Sequence, residues 1–319
     1  MSNNNASPIL GVIFGMIAGA AWGLAFLIPS MLSNFSSLEI TLGRYLMYGL
    51  YSLLLFIIYK KNPLHIPPRV WYRAMLYAFT GNIGYFFFLV LAIKYTGATI
   101  TTLIIGTLPI IISIVGNLLH KEFPFKVMVI PAFLILVGIY LLYSNEQGDI
   151  SSITVSKSSV LFGLLCCIIA LALWTWYGIS NANFLKKESE VSPDLFSTIV
   201  GVQTLTLVFI ALLISKLTNQ QIIGNLLGKD YFYHYLLGII VLGVIASWVA
   251  TWAWNQTSIR LTVSIAGMMI VFETIFGLLY SYFYQSTFPS VLEMVSIVFI
   301  LTGVTFGIWR INTYQKSYN

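Results

Sequence analysis

The fold class this sequence predicts is an all-α integral membrane protein, with ten transmembrane helices arranged as two inverted five-helix repeats. Three observations carry that expectation: the composition, a series of apolar segments of spanning length, and spacings that recur in the second half. Of 319 residues, 58% are apolar and 8% are charged, against about 25% charged residues in a soluble domain. A helix rises about 1.5 Å per residue and a hydrocarbon core is about 30 Å thick, so about 20 apolar residues cross it.

Ten segments meet that need. The first, Ile9 to Leu32, lacks a preceding Lys or Arg and exceeds the apolar core of a signal peptide, so it reads as a span. Leu38 to Tyr59 carries Arg44, Trp71 to Ile93 carries Asn82 and Tyr85, and Ala98 to Leu119 carries Pro109. Phe125 to Tyr143 completes the first five. The second five are Val160 to Phe184, Asp194 to Ser215, Tyr235 to Ser258, Leu261 to Tyr284 and Val291 to Trp309. Longer connections, Lys60 to Val70, Ser144 to Ser159 and Lys216 to His234, collect Pro, Gly, Ser, Asn and charge, as solvent-side loops do. The expected organisation is a first repeat over residues 1–144, a periplasmic linker over 145–159 and a second repeat over 160–319.

Positive residues are retained on the cytoplasmic side during insertion. With the N-terminus inside, the cytoplasmic side receives Lys60, Lys61, Arg69, Arg73, Lys121, Lys126, Lys186, Lys187, Arg260, Arg310 and Lys316, against Lys94, Lys157, Lys216 and Lys229 outside. Eleven against four places both termini in the cytoplasm. The net charge of +6 is thereby accounted for as a topology signal, leaving no basic patch for nucleic acid. Cys166 and Cys167, adjacent in an apolar run, do not form a disulfide framework and read as buried packing residues.

The duplication rests on two spacings in the same order. Gly11 and Trp22 are eleven apart, as are Gly163 and Trp174; Pro124 and Gly138 are fourteen apart, as are Pro289 and Gly303, and Phe precedes each Pro. Five helices per unit is odd, so the halves insert with opposite topology, and inverted repeats place a solute site near the midplane between them. Aligning the fourth and ninth segments by Thr99 with Thr262 and by Pro124 with Pro289 maps Pro109 onto residues 272–274, opposite Glu273.

This plan, with Trp22-Gly23 in the first helix, Arg44 in the second, Pro109 in the fourth and the recurrent Pro-to-Gly spacing, resembles the EamA-type branch of the drug/metabolite transporter superfamily. The stretch Ser247 to Asn255, Arg260-Leu261 and Phe272-Glu273-Thr274 is also similar to a bacterial subgroup of that branch. The resemblance covers essentially the whole chain. It implies a multi-pass secondary carrier of the bacterial inner membrane, often an exporter of amino acids or related metabolites, without a cofactor.

Glu273 lies near the middle of a nearly uncharged span, where a charge costs roughly 2.5 to 3.5 kcal/mol on insertion scales and is functional by default. It reads as a proton-coupling or amine-binding carboxylate; the alternative is a structural hydrogen bond through Ser264 or Thr274. Arg44, well inside its helix, offers a planar fork to a substrate carboxylate or to Glu273, or else snorkels or pairs with Glu39. Pro109 predicts a kink and a freed carbonyl at Ile105. Asn82 and Tyr85 share a face, as do Trp248, Trp252 and Asn255, and Trp22 and Trp174 are repeat-equivalent. As a set they suit the lining of a cavity for an amphipathic solute; singly, such residues more often serve packing or an interfacial belt. Gly224 to Asp230 reads GNLLGKD, which is not a nucleotide-binding P-loop. His65, His120 and His234 show no metal-ligand spacing. The expected partners are a small solute, the bilayer and the proton, and no catalytic constellation is present to read the chain as an enzyme.

Overall fold

Apolar segments in lipid must satisfy their backbone internally, and helices do this. The computed structural model describes residues 7–59, 65–96, 101, 104–144, 157–188, 191–217 and 230–318, and every regular element among them is helical. Thr99, Lys60, Lys61, the segment Gly224 to Lys229 and most of the 145–159 linker lie outside the described residues.

Eight of the described helices are long and apolar enough to cross a membrane. They are α1 (Pro8–Met31), α2 (Ser37–Ile58), α3 (Pro68–Thr96), α6 (Lys157–Lys187), α7 (Pro193–Leu217), α8 (Phe232–Arg260), α9 (Val263–Gln285) and α10 (Val291–Tyr318). Two shorter apolar helices, α4 (Leu108–His120) and α5 (Val129–Ser144), complete the series. Sequence alone predicts one full span over 98–119. The structure instead interrupts the helix at Gly106-Thr107, and α4 starts at Leu108. Likewise Pro124 is followed by a tight turn over Phe125–Val127, so α5 begins only at Val129.

Local chemistry sets several boundaries. Ser36 opens α2 with a capping box: its hydroxyl accepts from Glu39 N at 3.2 Å, while its own amide donates to Glu39 Oε2 at 2.8 Å. Ser290 and Glu293 repeat the device at the start of α10, with the amide of Ser290 2.6 Å from Glu293 Oε2. The left-handed residues Lys121 (φ 50°) and Ser286 (φ 53°) end α4 and α9, each two positions before a Phe-Pro pair. Two wide π turns interrupt α3 at Phe79–Ile83 and α8 at Val244–Val249.

The packing pairs helices from the two halves of the chain. α2 lies on α7, α4 on α9 and α5 on α10, while α1 packs against α8 and α9, and α6 packs against α3. The α5–α10 contact needs glycine on both sides. A Cβ on Gly138 would sit 2.6 Å from the Ile300 side chain and one on Gly303 2.8 Å from that of Ile135, so only bare Cα atoms permit this approach. Between α4 and α9, Ser113 Oγ donates to Ser264 O at 2.7 Å and Ser264 Oγ returns a bond to Ser113 O at 2.9 Å.

Candidate functional site

A cavity of about 360 Å³ lies between the halves, walled chiefly by α1, α2, α3, α4, α6 and α9. Seven of the residues singled out from sequence line it: Trp22, Arg44, Asn82, Tyr85, Pro109, Trp174 and Glu273. From the indoles of Trp22 and Trp174 at its base it runs toward Pro29, Thr41 and Ile93, at the end of the bundle where α1 finishes and α2 begins.

Helix geometry presents Glu273 to this space. α9 tightens at Ile270, where Ile270 N donates to Gly267 O at 3.2 Å and Glu273 N donates to Ile270 O at 3.0 Å, both one residue short of the α-helical bond. Glu273 thus stands in the first turn of the second part of α9, on the cavity wall and away from lipid. Its carboxylate makes no hydrogen bond to the described residues, including Ser264, whose hydroxyl is spent on Ser113 O.

Arg44 reaches the same wall from α2. The wide turn in α8 presents the Ala246 carbonyl sideways; Arg44 Nη2 donates to it at 2.8 Å and Nε to Ser247 Oγ at 2.9 Å. The guanidinium therefore forms no direct ion pair with Glu273 or Glu39 among the described residues, and Glu39 is engaged in its capping box. Arg44 Nη1 has no bonded partner among the described residues, and the guanidinium lies 5.5 Å from the ring centre of Tyr45. In α3, the corresponding wide turn puts Gly81 and Asn82 on the wall, with Asn82 Nδ2 held 3.0 Å from Thr204 Oγ1.

The base is an indole cluster. Ring centres of Trp22 and Trp174 are 5.8 Å apart, and each lies within 5.8 Å of Trp254, with Tyr177 5.5 Å from Trp174. Such tilted and edge-on contacts form a rigid floor. Sequence reasoning missed Trp254, fully buried behind that floor, and Tyr45, Thr41 and Thr251 on the walls. Helical spacing from Arg44 would have found Thr41, one turn earlier on the same face.

Three expected lining residues are directed elsewhere. Trp248, Trp252 and Asn255 do share a face of α8, but it packs on α7. Trp248 Nε1 donates to Thr198 Oγ1 at 3.2 Å and Trp252 Nε1 to Asp194 Oδ1 at 2.9 Å. Asn255 is fully buried, accepting from Asn181 Nδ2 and donating to Ser197 Oγ, both at 2.8 Å. A shared face is legible in spacing; which neighbour it meets is not. Pro109 also differs in its local role. It sits in the first turn of α4, where its missing amide hydrogen costs nothing, and the interruption falls just before it.

Helices of spanning length around an enclosed aromatic cavity are the architecture of a multi-pass membrane transporter. Residues 9–144 match the model of the EamA-like transporter family, in keeping with the resemblance seen in the sequence. The inner membrane protein YtfF of Escherichia coli (strain K12) is 29% identical over 306 residues, covering 94% of this chain and 95% of its own length. YyaM of Bacillus subtilis (strain 168), an uncharacterized transporter, is 24% identical over 254 residues, 77% of each chain. A solved crystal structure of a protein 16% identical superposes with a TM-score of 0.76, over 96% of this chain and 99% of that one, so the two share a fold.

Proposed function

We propose that this transporter is a secondary carrier of the bacterial inner membrane that exports a small amphipathic metabolite, an amino acid or a related compound, by alternating access coupled to the proton. The observation that carries the reading is Glu273: an intramembrane carboxylate without a hydrogen-bond partner among the described residues, facing an aromatic cavity that Arg44 also lines. An amphipathic zwitterion matches that wall. Its ammonium group meets Glu273 and the indole faces of Trp22 and Trp174, and its carboxylate meets the free Nη1 of Arg44. The direction and the amino-acid class follow from the family resemblance.

Ten spans in two inverted repeats are the topology this mechanism uses. Several observations support it. The wide turns begin at Phe79 and Val244, and the left-handed caps are Lys121 and Ser286, each pair separated by 165 positions, as are Pro124 and Pro289. Gly11 packs on Leu261 at the α8–α9 junction, and Gly163 packs on Thr96 at the end of α3. Trp22 and Trp174, equivalent in this scheme, touch one another, as an axis between halves requires. With both termini cytoplasmic by the distribution of Lys and Arg, the cavity runs toward the periplasmic side.

The test is flux in proteoliposomes under an imposed pH gradient. Glu273→Gln is expected to lower gradient-driven transport at least about a hundredfold while the protein remains monodisperse. Wild-type flux by that variant would remove Glu273 from the mechanism, and flux indifferent to the gradient in the unmodified protein would leave an uncoupled facilitator. Product formation without solute counterflow would make the chain a membrane enzyme instead.

A further inference from the structure

A second concavity, of about 800 Å³, lies outside the central cavity, between α3, α4 and α6. Its walls are helical ridges. α3 contributes Arg69, Arg73 and Tyr77, and α4 contributes Ile111, Val115 and Leu119, each set spaced by one turn and so presenting a single face. α6 supplies the third wall, from Ile168 through Trp176 to Lys187. The groove opens sideways from the bundle: Leu119 is 63% exposed, Ile168 58% and Trp176 41%, all at positions that face lipid in a membrane-spanning helix.

Charge collects at one end only. Arg69 and Glu188 neutralise one another in an ion pair of 2.9 Å. Arg73 and Lys187 line the same end and have no carboxylate within 4 Å among the described residues. Among the described residues, two positive charges without a carboxylate partner therefore stand at the mouth of an apolar groove. At that end the hydroxyls of Tyr77 and Ser180 bond each other at 2.9 Å and need no ligand, while Thr175 Oγ1, farther along α6, has no hydrogen-bond partner among the described residues.

We propose that this groove binds an anionic phospholipid, with its phosphate held by Arg73 and Lys187 and one acyl chain lying along α4 and α6. The guanidinium fork and the neighbouring ammonium suit a phosphate, and basic pockets between membrane helices are where anionic headgroups dock. From Ile168 to Lys187 the α6 wall runs about 28 Å, which exceeds the roughly 15 Å depth of one leaflet's hydrocarbon. A chain of ordinary length is thus covered along its course. The lateral opening favours a ligand arriving from the bilayer over one arriving from water.

The experiment uses the full-length protein, purified and delipidated in a neutral detergent, with bound phosphatidylglycerol and phosphatidylcholine counted by native mass spectrometry. Preferential retention of phosphatidylglycerol is expected, with affinity weakened at least about tenfold in an Arg73→Gln, Lys187→Gln double variant. Ala172→Trp narrows the groove without touching the charges and should release the same lipid; Arg73→Lys with Lys187→Arg should retain it. Brominated-chain phosphatidylglycerol should quench fluorescence that Trp176→Phe removes, a readout that does not depend on stability. Equal retention of phosphatidylcholine, undiminished binding by the double variant, or complete displacement by glycerol phosphate would each overturn the proposal.

Discussion

The cavity and the end of the bundle beyond its indole floor treat polar groups in opposite ways. Around the cavity, Glu273, the Tyr85 hydroxyl and the indole N–H groups of Trp22 and Trp174 make no hydrogen bonds to the described residues. Beyond the floor, polar side chains are largely spent on structure. Glu122 accepts from the amides of Val263 and Ser264 at 2.9 and 3.2 Å, capping α9 from the turn that follows α4. Lys186 Nζ donates to Leu261 O at 2.7 Å, Asp194 takes both Trp252 and Gln256, and Arg260 bonds Gln256 while lying 5.0 Å from the ring centre of Phe14. A buried polar group left unpartnered costs about 1 to 3 kcal/mol. The fold leaves several of them together at the cavity, where a ligand can reach them. At and beyond the floor, Asn181 Oδ1, Trp254 Nε1 and Ser258 Oγ are also unpartnered among the described residues but are fully enclosed by protein, in a closed seam.

Four outcomes would break or sharpen that contrast. The largest is the loss of gradient-driven flux in Glu273→Gln described above. Next, Arg44→Lys keeps a charge but loses the fork that bridges Ser247 and Ala246. Charge-assisted hydrogen bonds contribute about 1.5 to 3 kcal/mol, so a loss of roughly that size is expected in reversible unfolding, along with about tenfold weaker solute binding by calorimetry. Unchanged binding would assign Arg44 to structure alone. At the seam, Glu122→Ala removes the cap on α9, and about 1 to 2 kcal/mol of stability should go with it; solute affinity measured on the same sample should move less than for Arg44→Lys. The smallest effect is expected of Trp252→Phe, which deletes one hydrogen bond to Asp194, about 0.5 to 1.5 kcal/mol. Its transport rate should stay within about twofold of wild type, and a large loss would move Trp252 from the seam into the transport pathway.

Glu273, Arg44, Trp22 and Trp174 were legible in the sequence for different reasons. A charge in an apolar span is conspicuous because lipid penalises it. The two tryptophans announced themselves through recurrent spacing. Trp248, Trp252 and Asn255 had an equally regular pattern and lie elsewhere, because periodicity reports which residues share a face and says nothing of what that face meets. Arg44 was visible as a buried cation, yet its partners lie about 200 positions away on a wide turn of α8 that no local pattern signals. Pro109 was read as a kink within a continuous helix, whereas the chain had already broken at Gly106-Thr107.

By itself the sequence determined an all-helical membrane protein, the approximate extent of its apolar helices and the identity of its intramembrane charges. Those follow from local hydrophobicity and from the cost of exposing backbone and charge to lipid. Only the tertiary structure decided which faces meet: it set Glu273 and Arg44 on one wall without pairing them, closed three indoles into a floor, turned the α8 stripe toward α7 and opened a charged groove between α3, α4 and α6. The reason is physical. Helix formation is settled within a few residues, but the direction of a face depends on close packing between helices distant in sequence, at contacts such as Gly138 with Ile300 where one added carbon would not fit.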